Sequence, residues 1–292
     1  MNGQISRSRV PGLTAGMLFL LVFSACAGSD PAGPSGGSGG YEFAGLIDHT
    51  CTDIYSIPDQ WISGAQDNMK VHYAHTSHGE QLTAGLELLE SDDPDLQVEI
   101  GYSYLPVQAG ALCIFDGQLT ETYITPELFW ETHDGMEMTR AVLDANPSIN
   151  VCMWCWCTQM DYYDQGQVQA YLDSMSTLEA EYPSVTFVYM TGNAQAEGEE
   201  GYNRHQRNQQ VRQYCQDNGK VLFDFADLDA WWQDPSTSQW EQATYSWNGI
   251  SVPREHPEFS GDEAGHTTYD SCRQKGRAVW WMLALLDGWE PD

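Results

Sequence analysis

The chain has 292 residues, with 42 Asp and Glu against 12 Lys and Arg, and a formal net charge of -30. That imbalance disfavours nucleic acid and anionic membrane surfaces as partners, because both would be repelled. A solvated acidic surface accounts for it more simply than a dedicated cation-binding role.

In chain order, Arg7 and Arg9 precede the apolar stretch Met17 to Phe23, and Ser24-Ala25-Cys26-Ala27 follows. The stretch is too short to span a bilayer and has a small-residue cleavage site behind it, so residues 1–26 read as an export signal. Two fates stay open: cleavage that discards Cys26, or lipidation of Cys26 as the mature N-terminus, which the following linker favours. Either way the protein is expected outside the cytoplasm, as an envelope lipoprotein or free, and touches a membrane only through a lipid on Cys26. Residues 27–40 are rich in Gly, Ser and Pro and read as a flexible linker. Residues 41–292 are long enough for one domain with a substantial core. Beyond Cys26 the cysteines are Cys51, Cys113, Cys152, Cys155, Cys157, Cys215 and Cys272. An oxidising location predicts that some pair, with at least one thiol left over.

Ser56-Ile57-Pro58-Asp59 predicts a capped helix start, with the helix running to about Asn68. A strand is expected over Met69 to His75, a helix over Gln81 to Leu89, a strand over Leu96 to Leu105 and a helix over Leu128 to Leu143. The run from Ile149 to Cys157 is the strongest strand signal. Val168 to Tyr182 is then helical, Val185 to Met190 a strand, Asn208 to Asp217 helical and Val221 to Phe225 a strand. Residues 233–270 read as irregular, and Arg277 to Leu286 as a final helix buried on most sides. Strand and helix alternate about five times, which predicts an α/β protein: a three-layer α/β/α sandwich around a parallel sheet of about five strands. Such sheets place their sites at the carboxyl ends of strands. Ser77, Thr158-Gln159 and Gly192-Asn193 all fall at such ends.

A serine hydroxyl needs a base, a group to orient the base, and donors for the oxyanion it creates. Ser77 is the candidate nucleophile, at a strand-to-helix turn in His75-Thr76-Ser77-His78-Gly79. His266 is the candidate base and Glu263 its orienting acid, with Asp262 a competitor. Gln159 is the side-chain oxyanion donor expected from its place past the central strand, and His78 lines the same cleft. Activity is expected to fall below about pH 6, as a histidine base becomes protonated. No cofactor or metal is expected.

At these residues the chain resembles the SGNH (GDSL-type) hydrolases. The resemblance implies a flavodoxin-like fold, with the serine in a block after the first strand and an acid-x-x-His block before the last helix. Glu263-Ala264-Gly265-His266 stands in for that second block, with Glu for Asp. No Gly-Asp-Ser stands at Ser77, Thr158-Gln159 replaces the expected asparagine, and Gly110 and Gly135 are the candidates for the oxyanion glycine. The chain also resembles an uncharacterised exported bacterial subgroup through His-Thr-Ser-His-Gly, Trp154-Cys155-Trp156-Cys157 and Lys275-Gly276-Arg277-Ala278-Val279-Trp280-Trp281. The function this implies is an exported serine esterase or deacylase acting on acylated carbohydrate or other small esters.

Plainer readings stand beside it. Ser77 serves as a helix N-cap in a non-catalytic carbohydrate-binding protein on the same fold. Alternatively His75 and His78 hold a metal in a metal-dependent hydrolase. Cys155 and Cys157 share one strand face and Cys152 points to the other, so the three sulfurs do not converge and read as small buried hydrophobes, with room for one of them in a bridge. Trp280 and Trp281 belong to the core. Trp231, Trp232, Trp240 and Trp247 form either a sugar-stacking platform or the packing of a long loop. Asp224, Asp227 and Asp229 hold a cation or, for the last two, flank a short helical turn.

Overall fold

The computed structural model describes residues 45–291, within one compact unit spanning Tyr41–Asp292. The readings of residues 1–40, lipidation of Cys26 included, lie outside the described residues.

The chain enters through a two-residue strand β1 (Leu46–Ile47) and helix α1 (Asp59–Asn68), followed by β2 (Lys70–His75), α2 (Glu80–Asp92), β3 (Val98–Tyr102) and β4 (Leu112–Asp116). Then come α3 (His133–Ala145), β5 (Val151–Cys155), α4 (Gln165–Glu181), β6 (Thr186–Met190), α5 (Gly198–Asn218), β7 (Val221–Phe223) and α6 (Phe225–Ala230). Four short strands follow, β8 (Trp231–Gln233), β9 (Trp240–Gln242), β10 (Thr244–Trp247) and β11 (Ile250–Pro253), before the last helix α7 (Tyr269–Leu286).

The main sheet has seven strands in the order β1-β7-β6-β5-β2-β4-β3, and each neighbouring pair is parallel. Its five inner strands carry the flavodoxin-like 2-1-3-4-5 order, with β2 as the first strand and a switch point beside it. The three-layer α/β/α expectation therefore holds, with an edge strand added on each side.

Both faces of the sheet are covered, as the apolar strands require. On one face Val71, Tyr73 and Met153 meet Leu82 and Leu86 of α2 and Val279 and Leu283 of α7. On the other, Trp154 and Trp156 project two residues apart and close on Trp130, Tyr163 and Tyr171, with ring centroids 4.8–6.3 Å apart. Helix α7 is buried from Ala278 through Ala284, as expected of its composition.

Several elements differ from their expected form. α1 has Pro58, not Ser56, at its N-cap position. The expected strand over residues 96–105 shrinks to β3, which is an edge, and β4 is the true neighbour of β2. Only three residues of the expected fifth strand pair, because Asp224 caps α6 instead. The stretch 233–270 holds the β10–β11 hairpin and one strand of the β8–β9 pair. α5 starts ten residues before its expected start, for the buried side of its first half is Gly201, Arg204 and Asn208, with no apolar stripe. Cys113, Cys152, Cys155, Cys157, Cys215 and Cys272 are free thiols, so the expected bridges are not found among them.

Candidate active site

Strand β2 ends at His75, and Thr76 remains extended before a single 3-10 turn, Ser77–Gly79, feeds α2. The turn is tight. A side chain at Gly79 would come within 2.2 Å of His75 Cβ, so only glycine fits there. Tyr73 donates its hydroxyl to Gly79 O at 2.9 Å and pins the turn to the strand. Ser77 does not cap the helix: its hydroxyl lies 3.5 Å from Cys157 Sγ, and Gly79 occupies the N-cap position of α2. The N–H groups opening such a turn have no partners within it, which leaves them for a ligand.

The late histidine block forms a two-residue hairpin turn. Ala264 and Thr267 exchange backbone hydrogen bonds, and Gly265 and His266 between them have φ of +55° and +68°. Positive φ at both central positions defines a type I′ turn, a conformation that costs a non-glycine residue roughly 1–2 kcal/mol. Two side chains hold it there. Gln81 donates to Gly265 O at 2.6 Å and Gln195 donates to His266 O at 2.7 Å. A Cβ on Gly265 would lie 2.9 Å from Ser77 O, so the turn is pressed against the serine's own backbone. The two stretches, nearly two hundred residues apart in sequence, are thus neighbours.

The His266 ring lies on the exposed side of this turn. Its Nδ1 is 3.6 Å from Asp262 Oδ1 and its centroid 5.0 Å from that of His78. Glu263 is occupied elsewhere, accepting the Tyr269 N–H at the start of α7 at 2.6 Å, so Asp262 is the acid beside the ring. Among the described residues the Ser77 hydroxyl bonds to Cys157 and not to His266.

The loops after β5 and β6 complete the crevice. Gln159 turns back, its Oε1 accepting the Cys157 N–H at 2.8 Å, which leaves its NH2 group without a protein acceptor among the described residues. Asn193 donates to Cys157 O at 2.7 Å and accepts the Gln195 N–H at 3.0 Å, so it braces both loops. Beneath them Asp229 accepts the Ala194 N–H at 2.8 Å and pairs with Lys275 at 2.7 Å, both side chains being almost wholly buried. Burial and the nearby Asp229 charge push Glu255 up to about 7, against hydrogen bonds from Gln195 and Thr267.

Cys157 lies one residue beyond the strand's last flanking Trp156, so strand alternation does not govern it. His78 Nδ1 is 3.0 Å from its sulfur, and His78 Nε2 is 2.8 Å from Gln195 Oε1. Burial raises the thiol, but the His78 hydrogen bond and charge, with the Ser77 hydroxyl, outweigh it and bring Cys157 down to about 6. Cys152 and Cys155, by contrast, are pushed far up by burial. Reading the three alike as buried hydrophobes therefore fails at Cys157. The signal that separates it was the histidine of the Ser77 block, which the sequence placed only in chain order.

His75 and His78 do not share a ligand site. His75 Nε2 faces Asp116 at 3.1 Å and Nδ1 meets Thr76 O at 2.7 Å, while His78 points to Cys157. Among the described residues the cluster of three metal-ligating side chains is Asp48, His49 and Asp227, where Asp227 is tied up by His49. The three late aspartates part company: Asp224 caps α6 and takes a bidentate Arg212, Asp227 pairs with His49, and Asp229 with Lys275. Gly110 lies at the amino end of β4, in a groove with Tyr55, Asp95 and Gln97 that no histidine or cysteine lines, and Gly135 lies inside α3. The glycine at the carboxyl end of β4 is Gly117, with φ of +119°, whose N–H is donated to Tyr73 O. Trp231 stacks on His49 and Trp232 on His256, with ring planes within 13° and 14° of parallel.

A scan against protein-family models matches none, and a search of curated proteins returns no match.

Proposed function

We propose that this protein is an exported serine hydrolase of the SGNH-like kind, acting on ester bonds of acylated carbohydrate or other small esters. The observation that carries the reading is the strained Gly265-His266 turn packed against the Ser77 carbonyl at the carboxyl edge of the sheet. Strain of this kind persists where surrounding bonds over-determine it, and it clusters at functional sites. Ser77 attacks the acyl carbonyl and His266 takes the hydroxyl proton, with Asp262 orienting the ring in place of Glu263. The proton then passes to the departing alcohol, and water releases the acyl group from Ser77. The Ser77 N–H and the free NH2 group of Gln159 are the donors for the oxyanion. The step requires the His266 ring, which makes no hydrogen bond to Ser77 here, to turn toward it; catalytic bonds in unliganded enzymes are often longer than working ones.

The test is phosphonylation of Ser77 by a fluorophosphonate, together with turnover of p-nitrophenyl acetate. Ser77→Ala should abolish both, and His266→Ala should lower turnover by about 10³-fold or more. Unchanged turnover in Ser77→Ala would end the reading.

A further inference from the structure

Among the free thiols of the described residues, Cys157 alone is partly exposed; Cys113, Cys152, Cys155, Cys215 and Cys272 are buried. Its surroundings dictate its protonation. Gln195 Nε2 donates to Glu255 Oε1 at 3.1 Å and to His266 O at 2.7 Å, so the oxygen of that amide is the atom facing His78 Nε2. His78 Nε2 must then carry a hydrogen, and Nδ1 presents its lone pair to the thiol 3.0 Å away. This is the nucleophile, base and orienting group of an activated thiol, formed without any rearrangement.

We propose that Cys157 is a covalent modification site, a thiolate held by His78 and Gln195 that exchanges with low-molecular-weight disulfides beside Ser77. The thiolate attacks one sulfur of the incoming disulfide, forming a new S–S bond to Cys157. The old S–S bond breaks, and its electron pair leaves with the departing thiolate. No net oxidant is consumed, and an excess of free thiol reverses the step. With Ser77 Oγ 3.5 Å from the sulfur, the attached group fills the space in which an acyl group would sit. The inference goes beyond the serine reading, and its first readout does not depend on it.

The titratable groups around the pair are Asp161 after β5, Asp229 of α6, and Glu255 and His266 before α7. Burial lowers His78, but Cys157, Gln195 and Asp229 together raise it, which makes its Nδ1 a better acceptor for the thiol proton.

The experiment follows the reaction of the whole protein with 4,4′-dithiodipyridine between about pH 5 and pH 8, locating the adduct by peptide mass mapping. Cys157 should react first, about tenfold faster than the next thiol at neutral pH, with the rate rising through a midpoint near about pH 6. His78→Gln keeps a hydrogen-bonding group but removes the base. It should slow the reaction about tenfold, and thiolate absorbance at 240 nm in the untreated variant should titrate at higher pH. An adduct on another cysteine, or a Cys157 rate with a midpoint above about pH 8, overturns the proposal. Fluorophosphonate treatment separates the two readings. Fast exchange with no phosphonylation keeps the thiolate and ends the serine mechanism. Exchange that leaves phosphonylation of Ser77 undiminished overturns the placement of the adduct in the crevice.

Discussion

His75 shows how one side chain of the serine block is used for stability instead of chemistry. It is buried, its ring stacks on Tyr73, and both nitrogens face acceptors, Thr76 O and Asp116. Burial lowers its pKa, but the Asp116 carboxylate 3.1 Å away, with Thr76 O, outweighs it and leaves the imidazole above its ordinary value. A raised value means that its stabilising contribution is complete below the ordinary histidine range and is lost as pH rises through the folded value. Asp116→Asn should therefore destabilise the fold by about 1–2 kcal/mol near pH 6 and by less near about pH 8, as read by urea unfolding at both pH values. An equal loss at both would show that the ring is neutral throughout. The sequence presents His75 and His78 only as two histidines flanking Ser77. Only their environments, Asp116 for one and Cys157 for the other, assign one to the scaffold and the other to the site.

Among the elements, α2 and α7 fix the geometry between the serine and histidine blocks. They cross at Gly85 and Gly276, so closely that a Cβ on Gly85 would lie 2.0 Å from Cys272 O. Gly85→Ala should cost about 1–3 kcal/mol in denaturant unfolding, because backbone, unlike a flexible side chain, must give way. It should also reduce turnover by more than the lost folded fraction explains, since α2 begins at the serine turn and α7 follows the histidine turn. A variant with wild-type stability would remove the crossing from this account. The helix and strand run of the chain was largely legible, for periodicity and apolar runs follow local packing needs. β4 (Leu112–Asp116) is passed over because the segments on either side of it, Gln108 to Ala111 and Gly117 to Thr120, read as loop. The first half of α5 was missed because Arg204 and Asn208 occupy its buried stripe.

For the whole molecule the governing quantity is the net charge of -30. Like charges crowded onto the compact unit of residues 41–292 repel, and salt screens that repulsion. Raising NaCl from about 0.01 M to about 0.5 M at neutral pH should stabilise the folded protein by about 1 kcal/mol, or roughly 2–4 °C in Tm by calorimetry. A Tm that falls with salt would mean that the specific ion pairs, such as Arg140 with Glu181 and Arg273 with Asp92, outweigh the global repulsion.

The sequence by itself determined the layered parallel sheet, the burial of the last helix and the placing of Ser77 at a strand's carboxyl end. These follow from local patterns whose physical cause, an apolar face seeking cover, lies within each segment. Tertiary structure alone decided which acid lies beside His266, which of the two histidines near Ser77 meets a sulfur, and why Cys157 differs from Cys152 and Cys155. Those outcomes depend on distances of a few ångströms between segments joined only through the sheet, and spacing along the chain carries no record of them.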